Sequence, residues 1–171
     1  ATNLQAITAH EPADAEKNLA ETFRRPISFH FQENGVYNNR RNEQEADYIA
    51  ELLRAYLKSG DNKSVGIVAF SEAQQHEIEA SLNDLTRDDK EFSKLYQEAV
   101  DRQDEGQYNG VFVKNLENVQ GDERDIIILS ICYAPDEQGK MRMNFGPINQ
   151  NGGEKRLNVI FSRAKQHIAL V

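Results

Sequence analysis

The chain of 171 residues contains no tryptophan, a single cysteine (Cys132), four prolines and four histidines. One cysteine excludes an internal disulfide. Its apolar sequence surroundings predict a buried free thiol in a reducing compartment. The histidines are scattered and no carboxylate cluster accompanies them, so no metal site is expected. No apolar run exceeds four residues, as at 126–129, which is far too short to span a bilayer. The first twenty residues are acidic and lack an apolar core, so no signal peptide is expected and the cytoplasm is the expected location. Also missing, at all ten glycines, is the pattern Gly-x-x-x-x-Gly-Lys-Ser/Thr. No segment of this chain is therefore predicted to cradle a nucleotide's phosphates.

The net charge of −8 speaks against simple electrostatic binding of nucleic acid. Its distribution qualifies that. Residues 1–110 hold 12 Lys/Arg and 21 Asp/Glu, a balance of −9, whereas residues 111–171 hold 8 and 7, a balance of +1. Local charge decides whether phosphate can approach, and the motif-like segments lie in the nearly neutral last third.

Strand-like and helix-like segments alternate along the chain. Residues 12–23 read as a short acidic helix, and 27–31 (Ile-Ser-Phe-His-Phe) as an alternating strand. Asn42 with Glu45 three residues on predicts a capping box opening a helix to about Leu57, with Ala46, Ile49, Ala50, Leu53 and Leu57 on one face. Residues 65–70 form a nearly all-apolar run, the pattern of a central parallel strand. Ser71 caps a helix to about Leu85, and 86–104 is charged and helical. Strands follow at 111–113 and 126–133, then a long loop, a helix over 154–166 and a last strand over 167–171. Such alternation predicts an α/β domain with a largely parallel sheet. Residues 1–34 read as a lead-in with a short helix and strand, and 35–171 as the domain. Because the sequence stops inside a strand, the natural chain is expected to continue.

Two segments carry candidate chemistry. At 119–125 (Val-Gln-Gly-Asp-Glu-Arg-Asp) a polar turn pivots on Gly121 and feeds an apolar strand. Gly121 permits a tight turn, and Asp122, Glu123 and Asp125 surround it. In the helix expected over 154–166, Leu157, Ile160, Phe161 and Ala164 share one narrow face. Arg156 and Arg163, seven apart, lie on one flank of it, with His167 a turn beyond. Guanidinium groups held at the edge of a buried face suit a phosphate. On spacing alone, a structural network with Asp122, Glu123 or Asp125 is the favoured alternative.

Four segments, in order, resemble motifs of the second RecA-like domain of superfamily 1 helicases, the Upf-like branch. Asn42-Glu43-Gln44-Glu45-Ala46 resembles the family's Asn-x-x-Glu-Ala helix start. Val65-Gly66-Ile67-Val68-Ala69-Phe70 with Gln74 resembles motif IV. Residues 112–125 resemble motif V. Arg156-Leu157-Asn158-Val159 with Ser162-Arg163-Ala164 resembles motif VI. The resemblance implies a three-layer RecA-like α/β domain of the phosphate-loop NTPase superfamily, with a mainly parallel sheet flanked by helices. It implies that Arg163 is an arginine finger reaching the γ-phosphate of ATP, with Arg156 supporting it. Glu123 would hold the ribose, with Gln120 and Gly121 shaping the turn. Asn115, Asn118 and Ser71 would face single-stranded DNA or RNA. ATP and Mg²⁺ would be bound mainly by a first RecA-like domain of the same polypeptide, absent here, so the chain alone is expected to lack ATPase activity. Lys155 replaces the usual first arginine before Leu157, and Ser162 the usual threonine before the finger. Two other readings stand beside this one: a RecA-like module kept for protein contacts, and a stand-alone acidic enzyme using Asp122, Glu123 and Asp125.

Overall fold

Val65, Gly66, Ile67, Val68 and Ala69 are all buried, which is possible only for a strand covered on both faces. The computed structural model describes residues 5–141 and 151–171. In chain order it contains β1 (Ile7–Ala9), α1 (Asp14–Thr22), β2 (Ile27–Gln32), α2 (Glu43–Lys58), β3 (Val65–Ala69), α3 (Glu72–Asp88), α4 (Lys90–Val100), β4 (Gln103–Asp104), β5 (Gln107–Tyr108), β6 (Phe112–Asn115), β7 (Arg124–Ser130), α5 (Gly153–Phe161) and β8 (Ala164–Leu170). Six strands form one sheet in the order β1-β2-β8-β7-β3-β6, every neighbouring pair parallel. The expected lead-in thus contributes two strands to the same sheet as the rest.

Alternation along β7 builds two cores. Ile126 and Ile128 point toward α1–α4 and pack with Ile49, Leu53, Ile67 and Ile78. Ile127 and Leu129 point the other way, joining Val68, Phe112 and Ile160 of α5. The result is the three-layer, RecA-like α/β arrangement expected. Gly66 is required by packing: a Cβ there would lie 2.4 Å from the Phe112 ring. No described helix is long and apolar enough to cross a membrane.

Several local expectations are corrected. β2 alternates as expected, and it is the Ser28/His30 face that points inward. Ser28 and His30 are buried, whereas Ile27 and Phe31 are 37% and 48% exposed. Pairing of Ser28 with Ala169 of β8 sets which face is inside. The buried polar groups then satisfy one another: Ser28 Oγ lies 2.9 Å from His30 Nε2 and 3.0 Å from His167 Nε2, and His30 Nδ1 lies 2.6 Å from the Tyr48 hydroxyl.

Helix α3 runs to Asp88, beyond the expected Leu85. Asp89 then breaks it in extended backbone, caps the Phe92 amide at 3.0 Å and accepts from Lys58 at 2.6 Å. The helix expected through 104 stops at Val100, and the two-residue strands β4 and β5 form a hairpin too short to leave a periodic signal. The strand expected over 126–133 ends at Ser130, so Cys132 lies just past it, buried as expected. Part of the expected loop before α5, residues 142–150, lies outside the described residues.

Candidate nucleotide cleft and nucleic-acid edge

The turn after β6 is fastened from three sides. Gly121 adopts the left-handed backbone (φ +79°) that its turn requires. Lys114 Nζ holds Asp122 at 2.7 Å. Arg124, 4% exposed, lies beneath: its Nη1 donates to the Glu123 carbonyl at 2.7 Å and its Nε to the Gly110 carbonyl at 3.0 Å. Its guanidinium sits 4.9 Å from the Phe112 ring centre and 5.7 Å from that of Tyr108. A buried arginine with both carbonyls and rings satisfied is a structural clamp. No local pattern signals this role, because a charged residue at the mouth of an apolar strand ordinarily faces solvent.

Opposite this turn stands α5. Arg156 is on it, but Arg163 is not. The helix expected to 166 ends at Phe161, Ser162 closes it, and Ala164 already pairs with Arg124 in the sheet. Strand pairing with β7 prevails over helix propagation. Consequently Phe161 is 41% exposed rather than packed on the sheet, Ala164 belongs to β8, and His167 is a buried strand residue bonded to Ser28 and the Arg25 carbonyl. The helical spacing of Arg156 and Arg163 therefore fails as a reason, yet the pair still converges. Both line a cleft of about 680 Å³ with Gln120, Val119, Lys155 and Val159.

The cleft carries a pointed chemical feature. Arg156 Nη1 and Arg163 Nε are each buried without a hydrogen-bond partner. The structural network with the turn's acids does not form among the described residues. Asp122 is taken by Lys114, and Asp125 accepts from the Ser64 amide at 3.0 Å. Glu123 is exposed and does not line the cleft. Two cations with orphaned donors in one open cleft are suited to a multiply charged oxyanion. No group of three or more His, Cys, Asp or Glu fit to hold a metal occurs among the described residues.

Asn115 ends β6, and Asn118 and Ser71 lie just past the carboxyl ends of β6 and β3, on one edge of the sheet. The Asn115 side chain accepts from the Glu117 amide at 3.1 Å and donates to Gln75 of α3 at 3.2 Å. Asn118 is exposed. The Ser71 hydroxyl accepts from the Gln74 amide and donates to the Arg40 carbonyl, both at 3.1 Å. A buried polar network supports this edge. Asn42 caps the Glu45 amide at 3.0 Å, but the Glu45 carboxyl does not complete the capping box. It turns inward to accept from Ser130 Oγ at 2.6 Å and the Cys132 amide at 2.8 Å. The Asn42 amide donates to Gln74 instead, at 2.9 Å. Burial pushes the Glu45 carboxyl up to about 8, against the pull of those two bonds.

Comparison with known proteins identifies the family. Residues 6–171 match the family model described as AAA domain. The chain is 41% identical over 98% of its length to the uncharacterized ATP-dependent helicase MG140 of Mycoplasma genitalium, and 39% identical over 98% to its Mycoplasma pneumoniae homolog. It is 30% identical over 76% of its length to the regulator of nonsense transcripts 1 homolog of Arabidopsis thaliana. It spans 15% of each mycoplasma protein and 9% of the plant one. A looser likeness, with a TM-score of 0.47 and 15% identity over 95% of this chain and 86% of the other, joins it to the C-terminal domain of a possible DNA helicase from Lactobacillus plantarum WCFS1. By the extent of the family match and these relatives, the chain belongs to the AAA-domain family of superfamily 1, Upf-like helicases.

Proposed function

We propose that this chain is the second motor domain of an ATP-dependent DNA or RNA helicase, contributing one wall of the nucleotide site and part of the single-strand grip. The observation that carries the reading is the pair of buried guanidinium nitrogens without hydrogen-bond partners, one on Arg156 and one on Arg163, two residues that line the same open cleft. Buried donors without acceptors are rare, and each costs roughly 1–3 kcal/mol unless something fills the place. A nucleotide's phosphates supply the missing acceptors.

In this reading Arg163 is the arginine finger, a role worth about 10³–10⁵ in rate in phosphoryl-transfer enzymes. Arg156 shares the phosphate contact. Gln120 lines the same cleft, Gly121 sets the turn, and Glu123 holds the ribose from outside it. Asn115, Asn118 and the Ser71 region face the nucleic-acid backbone. ATP hydrolysis supplies the free energy for movement. The phosphate-cradling loop and the Mg²⁺ site belong to a first RecA-like domain elsewhere in the same polypeptide. The cytoplasm is the location proposed for it.

The test compares ATP turnover by this chain alone with turnover by the full-length polypeptide, with and without single-stranded oligonucleotide. Turnover only in the longer protein supports the reading. Multiple turnovers by the 171-residue chain alone contradict it.

A further inference from the structure

Four non-glycine residues among those described hold left-handed backbone: Asn39 (φ 51°), Arg40 (63°), Glu105 (52°) and Cys132 (75°). Glu105 belongs to the tip of the β4–β5 hairpin. The other three meet at one place, past the carboxyl end of β7. Such conformations are strained and persist only where surroundings over-determine them.

The surroundings do so here. Asn38 and Arg41 exchange two backbone hydrogen bonds of 2.9 Å, closing a two-residue turn on Asn39 and Arg40. The Arg40 carbonyl accepts from Ser71 Oγ at 3.1 Å and from Cys132 Sγ at 3.4 Å. Cys132 is itself held by its amide on buried Glu45, and the Tyr37 amide donates to the Pro135 carbonyl at 3.0 Å. A hairpin pinned at each of these points presents its side chains from a rigid base.

What it presents is specific. Arg40 and Arg41 are exposed side by side; Arg41 forms a loose ion pair with Glu77 at 3.7 Å. Tyr37 and Tyr133, both half-buried, hold their rings 5.3 Å apart, and Tyr133 packs edge-on against Phe70 at 6.3 Å. The nearby carboxylate Glu137 is already engaged by Asn38 at 2.8 Å. The first turn of α3 connects the hairpin to the nucleic-acid edge. Ser71 holds Arg40, and Gln75, about 6 Å further along the helix, holds Asn115. The Ser71 hydroxyl has both its roles filled internally, so the outward groups at this point are those of the hairpin it anchors.

We propose that the hairpin at residues 37–41, with Tyr133 beside it, is a contact for single-stranded nucleic acid adjoining Asn115: Arg40 and Arg41 meet phosphate, and the tyrosine pair stacks a base. A fixed cation beside aromatic faces is how single strands are gripped without sequence preference. Arg40 and Arg41 place two adjacent exposed guanidinium groups on this turn, in a chain of net charge −8. The inference rests on the helicase reading above, and its test separates the two.

The test titrates the full-length polypeptide, without nucleotide, against fluorescently labelled oligothymidine and oligouridine. Arg40→Asn removes the charge but keeps a residue that tolerates left-handed backbone. Arg40→Asn and Arg41→Gln are each expected to weaken binding several-fold and to reduce the salt slope by about one. Tyr37→Ala is expected to weaken it about five-fold or more, and Tyr37→Phe to leave it near wild type. Unchanged melting temperatures confirm an intact fold. If the hairpin variants bind like wild type while Asn115→Ala weakens binding, the hairpin proposal is overturned and the helicase reading stands. If wild type binds neither oligonucleotide, or neither Asn115→Ala nor the hairpin variants alter binding, both fall.

Discussion

The Arg124 amide donates to the Arg163 carbonyl at 3.0 Å. This one backbone bond joins the two lips of the cleft. It fixes the residue at the mouth of β7, just after the glycine turn, to the residue proposed to reach the nucleotide. Arg163 is held again by its own amide on the Ile160 carbonyl at 2.9 Å. Its backbone is therefore positioned by sheet and helix together, as a finger requires.

Arg124 should matter to stability more than an ordinary charged residue. Arg124→Ala removes both guanidinium bonds and leaves the carbonyls of Gly110 and Glu123 without them. A loss of about 2–4 kcal/mol is expected, read as a lower urea midpoint. A variant within about 0.5 kcal/mol of wild type would show that the clamp is dispensable.

Acid should weaken the fold through His30. Burial, and then the neighbouring His167, lower its pKa from 6.5 to about 4. The unfolded chain thus takes up a proton near pH 6.5 that the folded chain refuses. Stability is fully present above 6.5 and is lost as pH falls toward 4, by at most about 3 kcal/mol. Burial moves His167 in the same direction. Urea midpoints measured across this range should fall less steeply in His30→Gln than in wild type. Parallel slopes would remove His30 as the cause.

Glu45 acts in the opposite window. Its folded pKa, pushed up to about 8 chiefly by burial, lies above the ordinary 4.5. Its contribution is fully present below 4.5 and is lost as pH rises through 8. Glu45→Gln keeps a carbonyl for Ser130 and Cys132 but cannot ionise. It should abolish the part of the stability decline between pH 6 and 8.5 that wild type owes to this group. An unchanged decline would mean that Glu45 ionises freely in the fold.

How much of this was legible follows from where the information sits. Apolar runs located β3 and β7, because burial on both faces leaves no room for polar residues. The spacing of Ala46, Ile49 and Leu53 located α2. β2 was legible as a strand but its inward face was not, since alternation gives a period while only pairing with β8 says which face is inward. Arg156 and Arg163 were rightly grouped in space for a wrong local reason, because the end of α5 is decided by the pairing of Ala164 with Arg124, 40 residues away in sequence. The Arg124 clamp and the inward turn of Glu45 were invisible for the same reason: their partners come from distant strands and turns. The roles of Arg163, Glu123 and Asn115 came from motif resemblance and not from any local pattern.

The most direct test of the central claim is ATP turnover by the full-length polypeptide carrying Arg163→Ala, with single-stranded oligonucleotide present. As a finger, Arg163 should account for about 10³-fold or more in kcat. Turnover should thus fall to the background, while the melting temperature and oligonucleotide binding stay near wild type. Wild-type turnover in that variant would contradict the assignment of Arg163 to the nucleotide.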